Sequence, residues 1–344
     1  MKRSVRSPVL TALATTLVVS ATATAVLNRP DPTDLHSTPT AAAGKARPAI
    51  EEFHPVVRED AAHDAGYASP YTVYRPADLP ARATEKLPVV VFGNGACRPS
   101  ANPYIGAHTL LAAHGFLVVA VGAYDQPDRD EDGTAHLEVL RSGITWAQKE
   151  NKRPGSPLRG RIDTGRVAVA GTSCGGIEAL VAGADPRVDT VVSFNSGFQA
   201  DASLGYGREE LENLHTPTLY VDGGVDDKAY ENSRVSYDLS DVPAVRASNA
   251  HAGHSGFWRG LRDGEPDGTI HEEAVAVLVQ WLDFTLNGNR TARNYFLGED
   301  CGLCAVEGWD VTSKGFGKEP AKAKDPGKAT NSGKDENSGN EVNR

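Results

Sequence analysis

RVAVAGTSCGGIEAL, residues 166–180, is the stretch on which the reading of the fold turns. Its opening Arg166-Val167-Ala168-Val169-Ala170 is a short apolar run of the kind that forms a buried strand. Its close, Gly176-Ile177-Glu178-Ala179-Leu180, reads as the start of a helix. Between them Gly171, Ser173 and Gly175 make G-x-S-x-G, set directly at a strand-to-helix junction. A turn this tight leaves almost no room for side chains at its flanking positions, and it projects the Ser173 hydroxyl above the sheet. The N–H of Cys174 then sits at a helix N-terminus, where it can receive negative charge. Reading Cys174 as the nucleophile shifts the frame by one and puts Thr172 where the leading glycine belongs, which costs backbone strain. Ser173 is therefore the candidate nucleophile.

Outward from this junction, strands and helices alternate. Residues 87–92, 116–121, 188–194, 217–221 and 245–248 are further apolar runs. Helical segments are expected at 109–114, around Leu137, Leu140 and Ile144, where spacings of three and four line one face, and at 270–286. Thr269 and Glu272 fit a capping box at the start of that last helix. Continuous apolar strands separated by helices imply an α/β class, with a mostly parallel, doubly wound sheet covered on both faces. Chemistry in such sheets gathers at the carboxyl ends of the strands. Only about twenty residues separate Phe194 from Pro217, so little or no cap domain is expected.

A serine in this setting needs a histidine base and a carboxylate to orient it, in the chain order serine, acid, histidine. His254, in Ala252-Gly253-His254-Ser255-Gly256, follows the last apolar strand, and His251 is the alternative three residues earlier. The loop at 222–229 reads DGGVDDKA. Asp222 ends the strand, while Asp226 and Asp227 both lie far enough beyond it to reach the histidine, and spacing does not separate them. A second oxyanion amide belongs on the loop after residues 87–92, Asn94-Gly95-Ala96-Cys97. Ala96 N–H is the first choice there and Cys97 N–H the second.

Taken in order, these segments resemble the secreted α/β hydrolases related to bacterial cutinases and polyester hydrolases, and more distantly the dienelactone hydrolases. The resemblance runs over roughly residues 85–313. It is carried by VVVFGNGAC, AAHGFLVVAVG, DQPD at 125–128, RIDTGRVAVAGTSCGG, DPRV followed by FNSG, PTLYVDGG and GEDCGLC. It implies the α/β-hydrolase fold, Ser173 as nucleophile, His254 as base, and oxyanion amides at Ala96 and Cys174. For the acid, the cutinase pattern falls on Asp226, whereas GNGxC-type relatives match Asp227. Phe198 falls where cutinases keep an aromatic that flanks the bound acyl chain, which makes it a candidate substrate-binding residue. Cys97 and Cys174 depart from the residues cutinases carry in the oxyanion and elbow loops. The implied activity is hydrolysis of carboxylic esters, small or polymeric, through an acyl-enzyme and without a cofactor. The alternatives are a lactone or dienelactone hydrolase and a non-catalytic exported binding protein on the same fold.

Residues 1–25 read as a signal peptide. Lys2, Arg3 and Arg6 precede a short apolar stretch at 9–19 and then small residues suited to cleavage. The stretch is too short and too rich in threonine to span a bilayer comfortably, so a secreted, extracellular chain without membrane contact after cleavage is expected. Residues 26–50 read as a disordered linker, 51–313 as the folded domain and 314–344 as a disordered polar tail. The formal net charge of −10 and the lack of basic clusters speak against a nucleic-acid partner. Four cysteines in an exported chain are expected to pair. The loops carrying Cys97 and Cys174 converge in this fold and so are expected to be bridged, with Cys301–Cys304 closing a local ring. No second C-x-x-C accompanies that last pair, so no metal is expected there. Asp128, Asp130, Asp132 and Gly133 open like a calcium loop, yet the twelfth position is Val139 instead of Glu. A solvated acidic loop is the expectation.

Overall fold

The computed structural model describes residues 54–61, 71–79, 85–125, 138–202 and 204–317. The expected signal peptide, the linker, the calcium-like loop at 128–133 and all of the polar tail beyond residue 317 lie outside the described residues.

In chain order the main strands are β1 (Val56–Ala61), β2 (Tyr71–Pro76), β3 (Leu87–Gly93), β4 (Leu117–Val121), β5 (Ile162–Thr172), β6 (Thr190–Phe194), β7 (Thr218–Asp222) and β8 (Ala244–Asn249). A small hairpin, β9 (Leu261–Arg262) with β10 (Glu265–Pro266), stands apart, and β11 (Trp309–Lys314) comes last. The large sheet runs β1-β2-β4-β3-β5-β6-β7-β8-β11. From β4 through β8 every neighbouring pair is parallel, while β1, β2 and β11 join antiparallel at the two edges. The mostly parallel α/β-hydrolase sheet read from the sequence is the observed one.

The helices are α1 (Ile105–Ala113), α2 (Glu138–Glu150), α3 (Cys174–Ala182), α4 (Tyr230–Leu239), α5 (Gly256–Arg259), α6 (Gly268–Asn287) and α7 (Arg290–Phe296). Alternation along each strand feeds two core layers. Val90 and Phe92 of β3 pack with Leu111 of α1 and Leu278 and Trp281 of α6. Val89 and Val91 pack with Leu140 and Ile144 of α2 and Leu180 of α3 on the other face. This is why the inner strands read as unbroken apolar runs. From β3 the chain moves to β4 on one side, then crosses to β5 on the other. The carboxyl ends of β3 and β5 thus flank a topological switch point, where such sheets open a crevice.

Three expectations change. The antiparallel strands β1, β2 and β11 are additions to that reading: β1 and β11 are edge strands with polar residues in place of an apolar run, and β2, between β1 and β4, breaks its run with Thr72 and Arg75. β11 continues through Lys314, and Phe316 packs against Trp281 and Phe284, so the folded domain extends past residue 313. At α6 the N-cap is Asp267, whose Oδ1 accepts from the Thr269 N–H at 2.9 Å and from its hydroxyl at 2.6 Å. Thr269 lies inside the helix, so it does not cap it. Between β6 and β7 the described residues hold only one short 3-10 helix, Arg208–Asn213, and no cap domain.

Candidate active site

β5 ends at Thr172 and α3 begins at Cys174, so Ser173 alone makes the turn, with φ 54° and ψ −119°. A positive φ at a non-glycine residue stores roughly 1–3 kcal/mol, and the surroundings must hold it. They do so closely: Ser173 N–H donates to Phe194 O at 2.8 Å, and Ser173 O accepts from the Ser196 hydroxyl at 2.6 Å. A Cβ on Gly171 would run into the Gly175 carbonyl, and one on Gly175 into the Gly93 backbone. The two glycines of the motif are therefore required by the close approach of β3, β5 and α3.

His254 stands on the turn after β8. Its Nε2 lies 3.1 Å from Ser173 Oγ and its Nδ1 lies 2.6 Å from Asp227 Oδ1. With an ionised Asp227 accepting at Nδ1, the proton sits on Nδ1 and Nε2 is free to accept from the serine hydroxyl. Asp227 is fully buried. Burial pushes its carboxyl up, but hydrogen bonds from His254, Asn195 Nδ2, Gly223 N–H and Ala229 N–H outweigh that and hold it below the usual carboxylate range. Asp226, the neighbouring candidate, is exposed and takes no part in this relay. Asp222 does end β7. It is buried beside Arg246, 2.8 Å away, and accepts from the Ser248 hydroxyl, so it is committed elsewhere. His251 pairs with Asp263 at 3.1 Å and does not enter the relay.

The family described as PET hydrolase-like matches residues 21–238. The chain belongs to this family. It is also similar to a protein named Hydrolase ORFZ from Pyricularia oryzae, 29% identical over 212 residues, which are 58% of this chain and 47% of that protein. The chain thus spans about half the length of that curated relative. It accordingly has the α/β-hydrolase fold of that family. The match takes in Ser173 and Asp227 but ends before His254, which only the fold brings alongside them.

In this PET hydrolase-like chain the loop expected to carry the second oxyanion amide follows β3. Ala96 (φ 53°) and Cys97 (φ 50°) are both left-handed. Cys97 N–H turns inward to Asn94 O at 3.2 Å, which removes it as a donor to a ligand. Ala96 lines the cleft together with Cys174. Cys174 opens α3, so its N–H is among the first-turn amides that lack an intrahelical acceptor. Asn94 O also accepts from Gly175 N–H at 2.9 Å, fastening the loop to the elbow, and the Cys97–Cys174 disulfide does so covalently with Cα atoms 5.3 Å apart. Cys301 and Cys304 are joined to each other. Among the described residues no group of His, Cys, Asp and Glu is arranged to hold a metal ion.

Phe198 requires a correction. It is fully buried in the core layer with Leu180 and Tyr220 and does not line the cleft. The backbone turns at Gly197 (φ 147°), which packs against Asn232, and Phe198 N–H is taken by Ser236 Oγ at 3.0 Å, so the ring faces the core. The cleft wall is made instead by Ile177, Gln199, Leu204, Lys228 and Asn232.

Sequence reasoning missed three supporting residues. Asn195, at the carboxyl end of β6 with φ 46°, donates to Asp227 Oδ2 at 2.8 Å and to Gly253 O at 3.1 Å, tying the acid to the histidine turn. Trp258 Nε1 donates to Thr172 Oγ1 at 2.9 Å, and its ring packs edge-on against Phe92, Tyr104 and Phe194. Tyr104 OH accepts from Gly95 N–H at 3.0 Å. The position of Asn195 just after an inner strand was the one available signal.

Proposed function

We propose that this α/β hydrolase is a secreted carboxylic ester hydrolase acting through Ser173, His254 and Asp227. The observation that carries the reading is the unbroken relay from Asp227 Oδ1 to His254 at 2.6 Å and on to Ser173 Oγ at 3.1 Å. His254 Nε2 takes the serine proton as Oγ attacks the ester carbonyl. The tetrahedral oxyanion is held by the N–H groups of Ala96 and Cys174, and His254 returns the proton to the leaving alcohol. A water, deprotonated by the same nitrogen, then releases the acid from the acyl-enzyme. Asp227 keeps the imidazole tautomer and balances the transient imidazolium. Two disulfides and the signal-like N-terminus support export to an oxidising compartment. No helix among the described residues is long and apolar enough to cross a membrane. The cleft beside Ser173 and the family's description support small or polymeric esters as substrates, and the acidic net charge of −10 speaks against a nucleic-acid partner.

The test is a fluorophosphonate probe and a panel of 4-nitrophenyl esters from short to long acyl chains. Wild type should be labelled at Ser173 and turn over the esters. Ser173→Ala should keep its fold, lose the label and fall in kcat by roughly 10⁴ or more. A variant retaining a tenth of the wild-type rate would remove Ser173 from the mechanism, and a wild type inert to the probe would favour the non-catalytic binding protein.

A further inference from the structure

The cleft beside Ser173 has a volume of about 490 Å³, in the range of small-molecule sites. Its charge is opposite to that of the chain. The protein carries a formal net charge of −10, yet among the described residues no aspartate or glutamate lines the cleft, and its wall includes the exposed cation Lys228. The two acids that precede Lys228 in the loop after β7 are accounted for. Asp227 is buried behind His254 with its oxygens engaged by four donors, and Asp226 is exposed outside the cleft lining. Lys228 has no ion-pair partner among the described residues. Beside it the wall offers the side-chain amides of Gln199 and Asn232, with Ile177 and Leu204 as its larger apolar members. Such a wall suits a polar, anionic acyl group better than a long alkyl chain, because an alkyl chain laid against the exposed Lys228 and the half-buried amides would take water from them without replacing its hydrogen bonds.

We propose that this cleft selects esters whose acyl part bears a free carboxylate, the hemiesters of dicarboxylic acids, with Lys228 as the residue that recognises the second carboxylate. The proposal rests on the ester-hydrolase reading above and names its substrate class. The ammonium attracts the substrate carboxylate both on approach and in the acyl-enzyme, and it offsets locally the repulsion that an acidic protein exerts on an anion. Lys228 immediately follows the triad acid, so the same backbone turn that sets Asp227 under His254 carries Lys228 to the cleft wall.

The experiment compares kcat/KM for 4-nitrophenyl hydrogen adipate, which is anionic, with that for 4-nitrophenyl heptanoate, which is neutral and of similar length. The differing intrinsic reactivity of the two esters cancels when each variant's anionic-to-neutral ratio is divided by that of wild type. Lys228→Gln should lower the ratio about five- to tenfold, Lys228→Glu should lower it further, and Lys228→Arg should preserve it. Raising the salt from low to about 0.5 M should erode the wild-type preference, as screening of the Lys228 attraction demands, whereas the Lys228→Gln ratio should not fall, since only the repulsion from the acidic chain is left to be screened. An unchanged ratio in both Lys228→Gln and Lys228→Glu, with the neutral ester still hydrolysed, would overturn the proposal and leave the hydrolase reading standing. Failure of wild type to hydrolyse either ester or to take a fluorophosphonate label would overturn both.

Discussion

Breaking the Cys97–Cys174 bridge should weaken the fold and the chemistry together. The two cysteines are separated by 77 residues. In the chain-entropy treatment, closing a loop of that length removes about 4.5 kcal/mol of conformational freedom from the unfolded chain at 25 °C. For a domain of this size, each kcal/mol moves Tm by about 2–4 °C, so the double variant Cys97→Ala/Cys174→Ala should melt about 9–18 °C lower. The catalytic effect arises because the bridge joins the two proposed oxyanion donors. Ala96 and Cys97 are both held at positive φ on one side of it, and Cys174 opens α3 on the other. Released, the loop can relax toward ordinary backbone angles and carry Ala96 N–H away. Outright loss of one such donor costs about 10²–10³ in kcat. A loop that still visits the right position should lose about 10- to 100-fold. The assay is a thermal melt alongside kcat on a short 4-nitrophenyl ester. Cys301→Ala/Cys304→Ala is the control, since its bridge spans 3 residues and does not line the cleft. Equal kcat for wild type and the Cys97/Cys174 variant, with Tm within about 2 °C, would falsify the bracing argument.

Asp227→Asn should reduce kcat by about 10³–10⁴, as loss of the orienting carboxylate does in this type of relay, while Asp226→Asn should stay near wild type; the reverse order in a side-by-side rate measurement would return the role to Asp226. Asp227 is more acidic folded than unfolded, so it stabilises the fold above about pH 4 and loses that contribution as pH falls through its lower folded value. The wild-type melting temperature should accordingly approach that of Asp227→Asn on titration from about pH 5 to about pH 2.5. Asn195→Asp sets a second carboxylate against Asp227, where a donor now stands at 2.8 Å. The added negative charge should move the acid limb of the kcat/KM profile to higher pH, a shift that a purely structural role would not produce. His108 is buried among Tyr74, Phe92 and Tyr104 with neither ring nitrogen hydrogen-bonded among the described residues, and burial pushes it down to about 3. The unfolded chain therefore takes up a proton near pH 6.5 that the folded one refuses, and stability should decline from about pH 6.5 toward pH 3. His108→Phe should flatten that decline in denaturant midpoints taken at about pH 7 and about pH 4.5, and an equally steep loss would contradict the assignment.

What the amino-acid sequence determined by itself is local. The strand, turn and helix at 166–180 are legible because an apolar run, a glycine-flanked serine and a helix-forming run follow one another directly, and a turn that tight can be made in few ways. The inner strands are legible because burial on both faces leaves them apolar throughout, as at Val89, Val90 and Val91. His254 could be named because it stands in the loop after the last apolar strand, where this fold places the base. The tertiary structure alone decided the rest. Asp226 and Asp227 are chemically identical neighbours, and only the donors Gly223, Ala229, Asn195 and His254, gathered from three loops, settle which one turns inward. Phe198 matches a ligand-facing aromatic by position, yet the turn at Gly197 and the Ser236 hydroxyl send its ring into the core. β11 carries no apolar run that marks it as a strand, and it becomes one because β8 offers it an unpaired edge. In each of these cases one deciding partner lies far away in the chain, Asn195 and His254 for Asp227, Ser236 for Phe198 and β8 for β11, so no local pattern of side chains records it.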